Sequence, residues 1–164
     1  MKSKENNFAF IDGNNVTMAL RDLGWKLDHR RFRVYLQEHY HVDTAYYFIG
    51  FIPNNNALYK RLQAAGFILI FKPTIPDGDG RIKGNIDAEL VLQAMIDLEA
   101  YHQAVIVSGD GDFSCLVRHL EEIGKLRTVL VPNGKRYSGL LKQSARSRLA
   151  SIDVLRKKLE YHRK

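Results

Sequence analysis

The chain has 164 residues, 45% hydrophobic and 26% charged, the size and balance of one globular domain able to bury a core. No apolar run approaches the roughly 20 residues that a membrane span needs, and the one cysteine, Cys115, excludes an internal disulfide and a cysteine-based zinc site. The net charge of +7 is unevenly placed: residues 135–164 hold ten Lys and Arg against two Asp and Glu, and residues 1–134 are nearly neutral.

From the N-terminus, Met1–Asn7 is polar and has no signal-peptide pattern, which with the lone cysteine fits a cytoplasmic protein. Phe8–Ile11 is a short apolar run of the kind that forms a buried strand. A helix is expected to open after Asp28 as N-cap and to run through Phe32, Leu36 and Tyr40. Thr44–Ile49 reads as the second strand. Asn54–Asn56 starts the next helix, which Gly66 ends, and Phe67–Phe71 is the third strand. Pro73–Gly84, with two prolines and three glycines, is the one long loop. Ile86, Leu90, Ala94 and Leu98 then recur at helical spacing. Ala104–Val107 is the fourth strand and 113–123 a helix closed by Gly124, inside which Cys115 reads as a buried thiol. Thr128–Val131 is the fifth strand, stopped by Pro132–Gly134. The tail from Ser138 to Tyr161 reads as helix, with Leu140, Leu141, Leu149, Ile152, Leu155 and Leu159 for docking. Its charge suits a polyanion partner and equally a solvated helix.

Strand-like runs alternating with helices predict an α/β domain built on a parallel sheet covered on both faces. The whole chain, 1–164, reads as one domain, with a core over about 7–133 and a basic, mostly helical extension over 134–164.

In such sheets ligands bind beyond the carboxyl ends of the strands, where the strand order reverses. Asp12 directly follows the first strand, and Asp110 and Asp112 follow the fourth in Ser108–Phe113. If those strands are neighbours, three carboxylates emerge at one rim. Asp87, in the first turn of the helix feeding the fourth strand, joins them if that turn faces the rim. Carboxylates so gathered repel one another unless a cation sits among them, and hard oxygen donors select Mg²⁺ or Mn²⁺. Taken singly, each has a plainer use. Asp12-Gly13-Asn14 could be a tight turn, Asp87 a helix-dipole partner, and Asp112 an N-cap.

Three segments resemble the motifs of the NYN domain family, and most closely its LabA-like branch, related to PIN and flap nucleases. They are Phe8–Asn15 (FAFIDGNN), Lys83–Leu90 (KGNIDAEL) and Val105–Phe113 (VIVSGDGDF), and the likeness spans about residues 7 to 132. The resemblance implies a three-layer, PIN-like (Rossmannoid) α/β fold, with a central five-stranded parallel sheet in the order 3-2-1-4-5 between helices. It also implies metal-dependent cleavage of RNA. Position by position, Asp12, Asp87, Asp110 and Asp112 match the acidic catalytic and metal-binding cluster. Asn15 matches an amide that meets a phosphate oxygen or the metal's water shell. Lys83 matches a basic residue near the scissile phosphate, and Ser108 a residue orienting the Asp110 loop. Lys142, Arg146 and Arg148 in the tail are the candidate contacts to nucleic acid.

The expected function is therefore a Mg²⁺- or Mn²⁺-dependent nuclease acting on nucleic acid, RNA favoured over DNA, with no membrane partner and a homodimer left open. The non-enzymatic alternative is an RNA-binding or regulatory scaffold of the same fold with little or no turnover. A phosphatase using Asp-x-Asp after its first strand fits less well, because Asn14 stands two residues after Asp12.

Overall fold

A computed structural model describes residues 5–51, 54–73, 75–76, 82–83 and 86–163. The apolar runs form strands because each can bury both faces. In β1 (Asn7–Asp12), Ala9 and Ile11 point to one side of the sheet and Phe8 and Phe10 to the other, the period-two alternation of a pleated strand. The same split recurs in β6 (Ala104–Val107), where Val105 and Val107 face the first side and Ala104 and Ile106 the second.

With β2 (Val42–Phe51), β3 (Ile68–Pro73), β7 (Leu126–Val131) and β8 (Leu149–Ser151) these strands make a six-stranded sheet, ordered β3-β2-β1-β6-β7-β8 and parallel throughout. The five expected strands stand in the expected order, and β8 is an added sixth. A separate antiparallel pair joins β4 (Ile75–Pro76) to β5 (Ile82–Lys83) inside the long loop; residues 74, 77–81 and 84–85 lie outside the described residues.

Helices α1 (Gly13–Asp22), α2 (His29–Tyr40) and α3 (Asn56–Ala65) cover one face, burying Val16, Leu20, Phe32, Leu36, Tyr59 and Leu62. Helices α4 (Asp87–Ile96), α5 (Ser114–Glu122) and α6 (Gly139–Ala145) cover the other through Leu90, Ala94, Leu116, Val117, Leu120, Leu141 and Ala145. Full burial of each larger aliphatic side chain is worth about 1.5–3 kcal/mol. Local signals agree at the expected ends. Asp28 caps α2 by accepting from Arg31 N at 3.0 Å, and Gly66 closes α3 in the left-handed region at φ 103°.

Two expectations are corrected and one alternative is set aside. The Asp12–Asn14 segment is no free turn but the start of α1, with the Asp12 side chain accepting from Asn15 N at 3.2 Å as N-cap. The tail is not one helix: α6 ends at Ala145, β8 pairs with the open edge of β7, and α7 (Arg156–Leu159) buries Leu159 against the first face. An edge strand left with unpaired backbone groups is a liability, and β8 covers it. Cys115 is exposed, because α5 turns Leu116, Val117 and Leu120 inward and leaves Cys115, Arg118 and His119 on the outer side.

Candidate metal centre

Strands β1 and β6 are hydrogen-bonded neighbours, with Ile11 opposite Val107. Their carboxyl ends therefore release Asp12 and the Ser108–Asp112 loop side by side. Gly13 allows α1 to start immediately after Asp12: a Cβ there would meet the Tyr47 ring and lie 2.9 Å from the Phe48 carbonyl oxygen. Only glycine lets the chain pass this close to β2.

Hydrogen bonds then fasten the two segments together. Ser108, fully buried, donates through Oγ to Asp12 Oδ2 at 3.1 Å and accepts from Asp110 N at 3.1 Å. Asn15 Oδ1 accepts from Gly109 N at 2.8 Å; because its partner is a donor, the amide oxygen must be the atom facing it. Asp110 Oδ1 accepts from Asp112 N at 2.9 Å, the cap of a short 3-10 turn over Gly111–Phe113. Asp12 and Asp110 are thus oriented by hydrogen bonds from Asn15 N, Ser108 Oγ and Asp112 N.

Asp87 arrives from the other side as the first residue of α4, carried by the buried Ile86 and Leu90. One oxygen each of Asp12, Asp87 and Asp110 lie within 4.8 Å of one another. Asp112 is exposed and outside that trio, though its carboxyl hydrogen-bonds with Asp87. Asp12, Asn14, Asn15, Met18, Ile86, Asp87, Asp110 and Asp112 line an open cleft of about 280 Å³.

The electrostatics record the crowding. Asp87 is pushed up to about 6, first by burial, then by the charge of Asp110, its hydrogen bond with Asp112 and the charge of Asp12. Asp12 is also raised, chiefly by burial; the Asn15 N–H and the Ser108 hydroxyl hold it back and Asp110 adds to the rise. A divalent cation among these carboxylates would offset that crowding. Three carboxylate oxygens at this spacing suit a hard divalent cation.

The other expected residues are placed apart. Lys83 falls in β5, and its side chain lies outside the described residues. Lys142 is exposed on α6, Arg146 pairs with Glu121 at 3.8 Å, and Arg148 is exposed just before β8; none lines the cleft. Asn14, Met18 and Ile86 line it without having been singled out from sequence. Val16 and Leu20, spaced one helical turn apart after a capping aspartate, are the signal that reveals α1 and with it Asn14 and Met18.

Known proteins agree with this architecture. The pattern of the NYN domain family matches residues 8–150. Over 135 residues the chain is 28% identical to the low amplitude and bright protein LabA of Synechococcus elongatus, covering 76% of this chain and 73% of LabA. The crystal structure of a protein of unknown function from Vibrio parahaemolyticus aligns with a TM-score of 0.81 at 26% identity, covering 98% of this chain and 100% of that one. No helix of the described residues is long and apolar enough to cross a membrane. With three motifs in order, the strand arrangement and a family match over most of its length, this chain belongs to the NYN domain family.

Proposed function

We propose that the protein is a metal-dependent nuclease that hydrolyses phosphodiester bonds, with RNA as its favoured substrate, Mg²⁺ or Mn²⁺ as its cofactor and the cytoplasm as its compartment. The observation that carries this is the convergence of Asp12, Asp87 and Asp110, from three distant segments, to within 4.8 Å. Of the three, Asp12 caps α1 and Asp110 caps the short 3-10 turn, so both carboxylates are held in place at the ends of neighbouring strands.

Asp12, Asp87 and Asp110 would hold the ion, and Asp112 would stand at its edge. The ion would supply acidity to a water and draw off charge that builds on the phosphate oxygens. Ser108 fixes the Asp12 carboxylate and the Asp110 amide at once, so the donor set is preorganised. Asn15 holds Gly109 through its oxygen, which leaves its NH₂ for an acceptor such as a phosphate oxygen. Ile86 and Met18 narrow the cleft with apolar surface, lowering the local dielectric around the carboxylates.

The test is cleavage of mixed RNA and DNA substrates in Mn²⁺ by the wild type, Asp12→Asn and Asp110→Asn. Cleavage by the wild type that both substitutions abolish supports the proposal, and RNA cut faster than DNA supports the substrate choice. Activity that survives in both variants removes the cluster from the chemistry. Tight, salt-sensitive RNA binding without cleavage transfers the protein to the scaffold class.

A further inference from the structure

The basic tail is contiguous in sequence, but the fold divides it between the two edges of the sheet. Strand β7 ends at Val131, and Pro132 turns the chain beside Gly109, the residue before Asp110. The loop that follows, 133–138, stays at the carboxyl edge and is fastened at both ends. Asn133 Oδ1 accepts from Lys135 N at 2.9 Å and the Asn133 carbonyl accepts from Arg136 N at 3.2 Å, so the asparagine folds the loop locally. Ser138 N donates to the Gly109 carbonyl at 3.1 Å. The Ser138 side chain occupies the space that any side chain at Gly111 would need, so the loop abuts both sides of Asp110.

Lys135 and Arg136 project from this braced loop, both exposed, and neither has an ion-pair partner among the described residues. Arg146, Arg148, Arg156 and Lys158 are led away. Helix α6 carries the chain back toward the amino edge, where Arg146 meets Glu121 near the far end of α5 at 3.8 Å. The Arg148 carbonyl accepts from Val129 N at 2.9 Å, three residues before Pro132. At about 3.3 Å per residue that level is roughly 10 Å below the rim. Farther on, Arg156 pairs with Glu160 and Lys158 lies over the Tyr35 ring.

An acidic cleft repels a polyphosphate, so affinity must come from cations close to it. We propose that the 133–138 loop is a phosphate clamp, in which Lys135 and Arg136 hold the nucleic-acid backbone next to the acidic cleft. This deepens the nuclease proposal and rests on it for the identity of the polyanion. Arg146 and Arg148 are then bystanders.

The test is fluorescence anisotropy of a short fluorescein-labelled single-stranded RNA in EDTA, across a salt titration, so that binding is read without cleavage. The double substitution K135Q/R136Q is expected to weaken binding about tenfold and to flatten the slope of log affinity against log salt by about 1.4, at about 0.7 per lost phosphate contact. The charge-conserving K135R/R136K restores both, and R146Q/R148Q changes affinity by less than about twofold. An unchanged slope in K135Q/R136Q, a larger loss in R146Q/R148Q, or no measurable wild-type affinity each overturns the clamp. Cleavage of the same RNA in Mn²⁺, run in parallel, separates the two proposals. Cleavage with binding indifferent to Lys135 and Arg136 sinks the clamp alone, whereas the predicted binding without cleavage sinks only the nuclease.

Discussion

The acidic cleft and the basic tail are assembled in opposite ways. The cleft gathers Asp12, Asp87 and Asp110 from positions about 75 and 23 residues apart in the chain and brings their oxygens within 4.8 Å. The tail begins as a run of charge and is dispersed: α6 leads away from the carboxyl edge to Arg146, which meets Glu121 on α5, β8 brings the chain back, and Lys158 ends over the Tyr35 ring of α2. Density of charge along a sequence is therefore a poor guide to a patch, because a parallel sheet returns the chain to the opposite edge with every crossover. Position after a strand is the better guide, since all carboxyl ends of a parallel sheet share one edge.

Four predictions press on that contrast. The largest effect is expected in the cleft. Asp12→Asn or Asp110→Asn lowers Mn²⁺-dependent cleavage by at least about a hundredfold, as loss of a preorganised charge-stabilising group does. Neutralising Arg148, roughly 10 Å below the rim, changes the same initial rate by less than about twofold. Comparable losses at both positions would erase the distinction.

Next in size is the close approach that builds the cleft. Gly13→Ala forces a methyl against the Tyr47 ring and the Phe48 carbonyl, and is expected to cost about 1–3 kcal/mol in urea unfolding. Gly139→Ala, in the tail, meets nothing within 4 Å and is expected to stay within about 0.5 kcal/mol of wild type. Equal costs would mean that β2 and α1 are less tightly joined than described.

Protons compete with the cation for Asp87. Since its carboxyl titrates near 6, Mn²⁺ affinity measured by calorimetry is expected to fall by up to about tenfold per pH unit below 6 and to level off above it. The metal-free protein shows the converse. The folded state holds the Asp87 proton above the ordinary value of 3.8, so this stabilising contribution is complete below about 3.8 and is lost as pH rises through about 6. In EDTA at pH 8, Asp87→Asn is therefore expected to melt above the wild type. A lower melting temperature there would show that the carboxylates do not strain one another.

The smallest effect belongs to Asp112, exposed and beyond the trio. Asp112→Asn is expected to weaken Mn²⁺ binding only severalfold and to lower the pH at which Asp87 titrates, by removing a neighbouring charge. A loss as large as that of Asp110→Asn would make it an equal ligand.

Much of the cleft was readable from the chain because strand ends are readable. Ala104–Val107 is four apolar residues between a polar turn and Ser-Gly-Asp, and it is β6 without a residue's difference. Asp87 was harder, since its direction depends on how α4 is oriented, which the packing of Ile86 and Leu90 decides. Helix α1 was hidden because Asp-Gly-Asn-Asn has the composition of a turn; the fit of Gly13 against β2 decides for a helix instead. The tail was misjudged for a related reason. Leu149, Ile152 and Leu155 satisfy helical spacing, and nothing local in Leu149–Ser151 reveals the open edge of β7 that turns it into strand.

Residues Leu27 and Asp28, in the connector between α1 and α2, are met by the tail: Leu27 bridges Glu160, Asp28 N donates to the Leu159 carbonyl at 2.8 Å, and Tyr161 N donates to the Lys26 carbonyl at 2.9 Å. Synthesis runs from the N-terminus, so the apolar surface around Trp25 and Leu27 waits on the ribosome until residues 156–161 have been made. The cleft beside α1 then matures late, although its first aspartate is among the earliest residues to emerge. A nascent chain of this protein would carry its acidic residues long before it could hold them in working order.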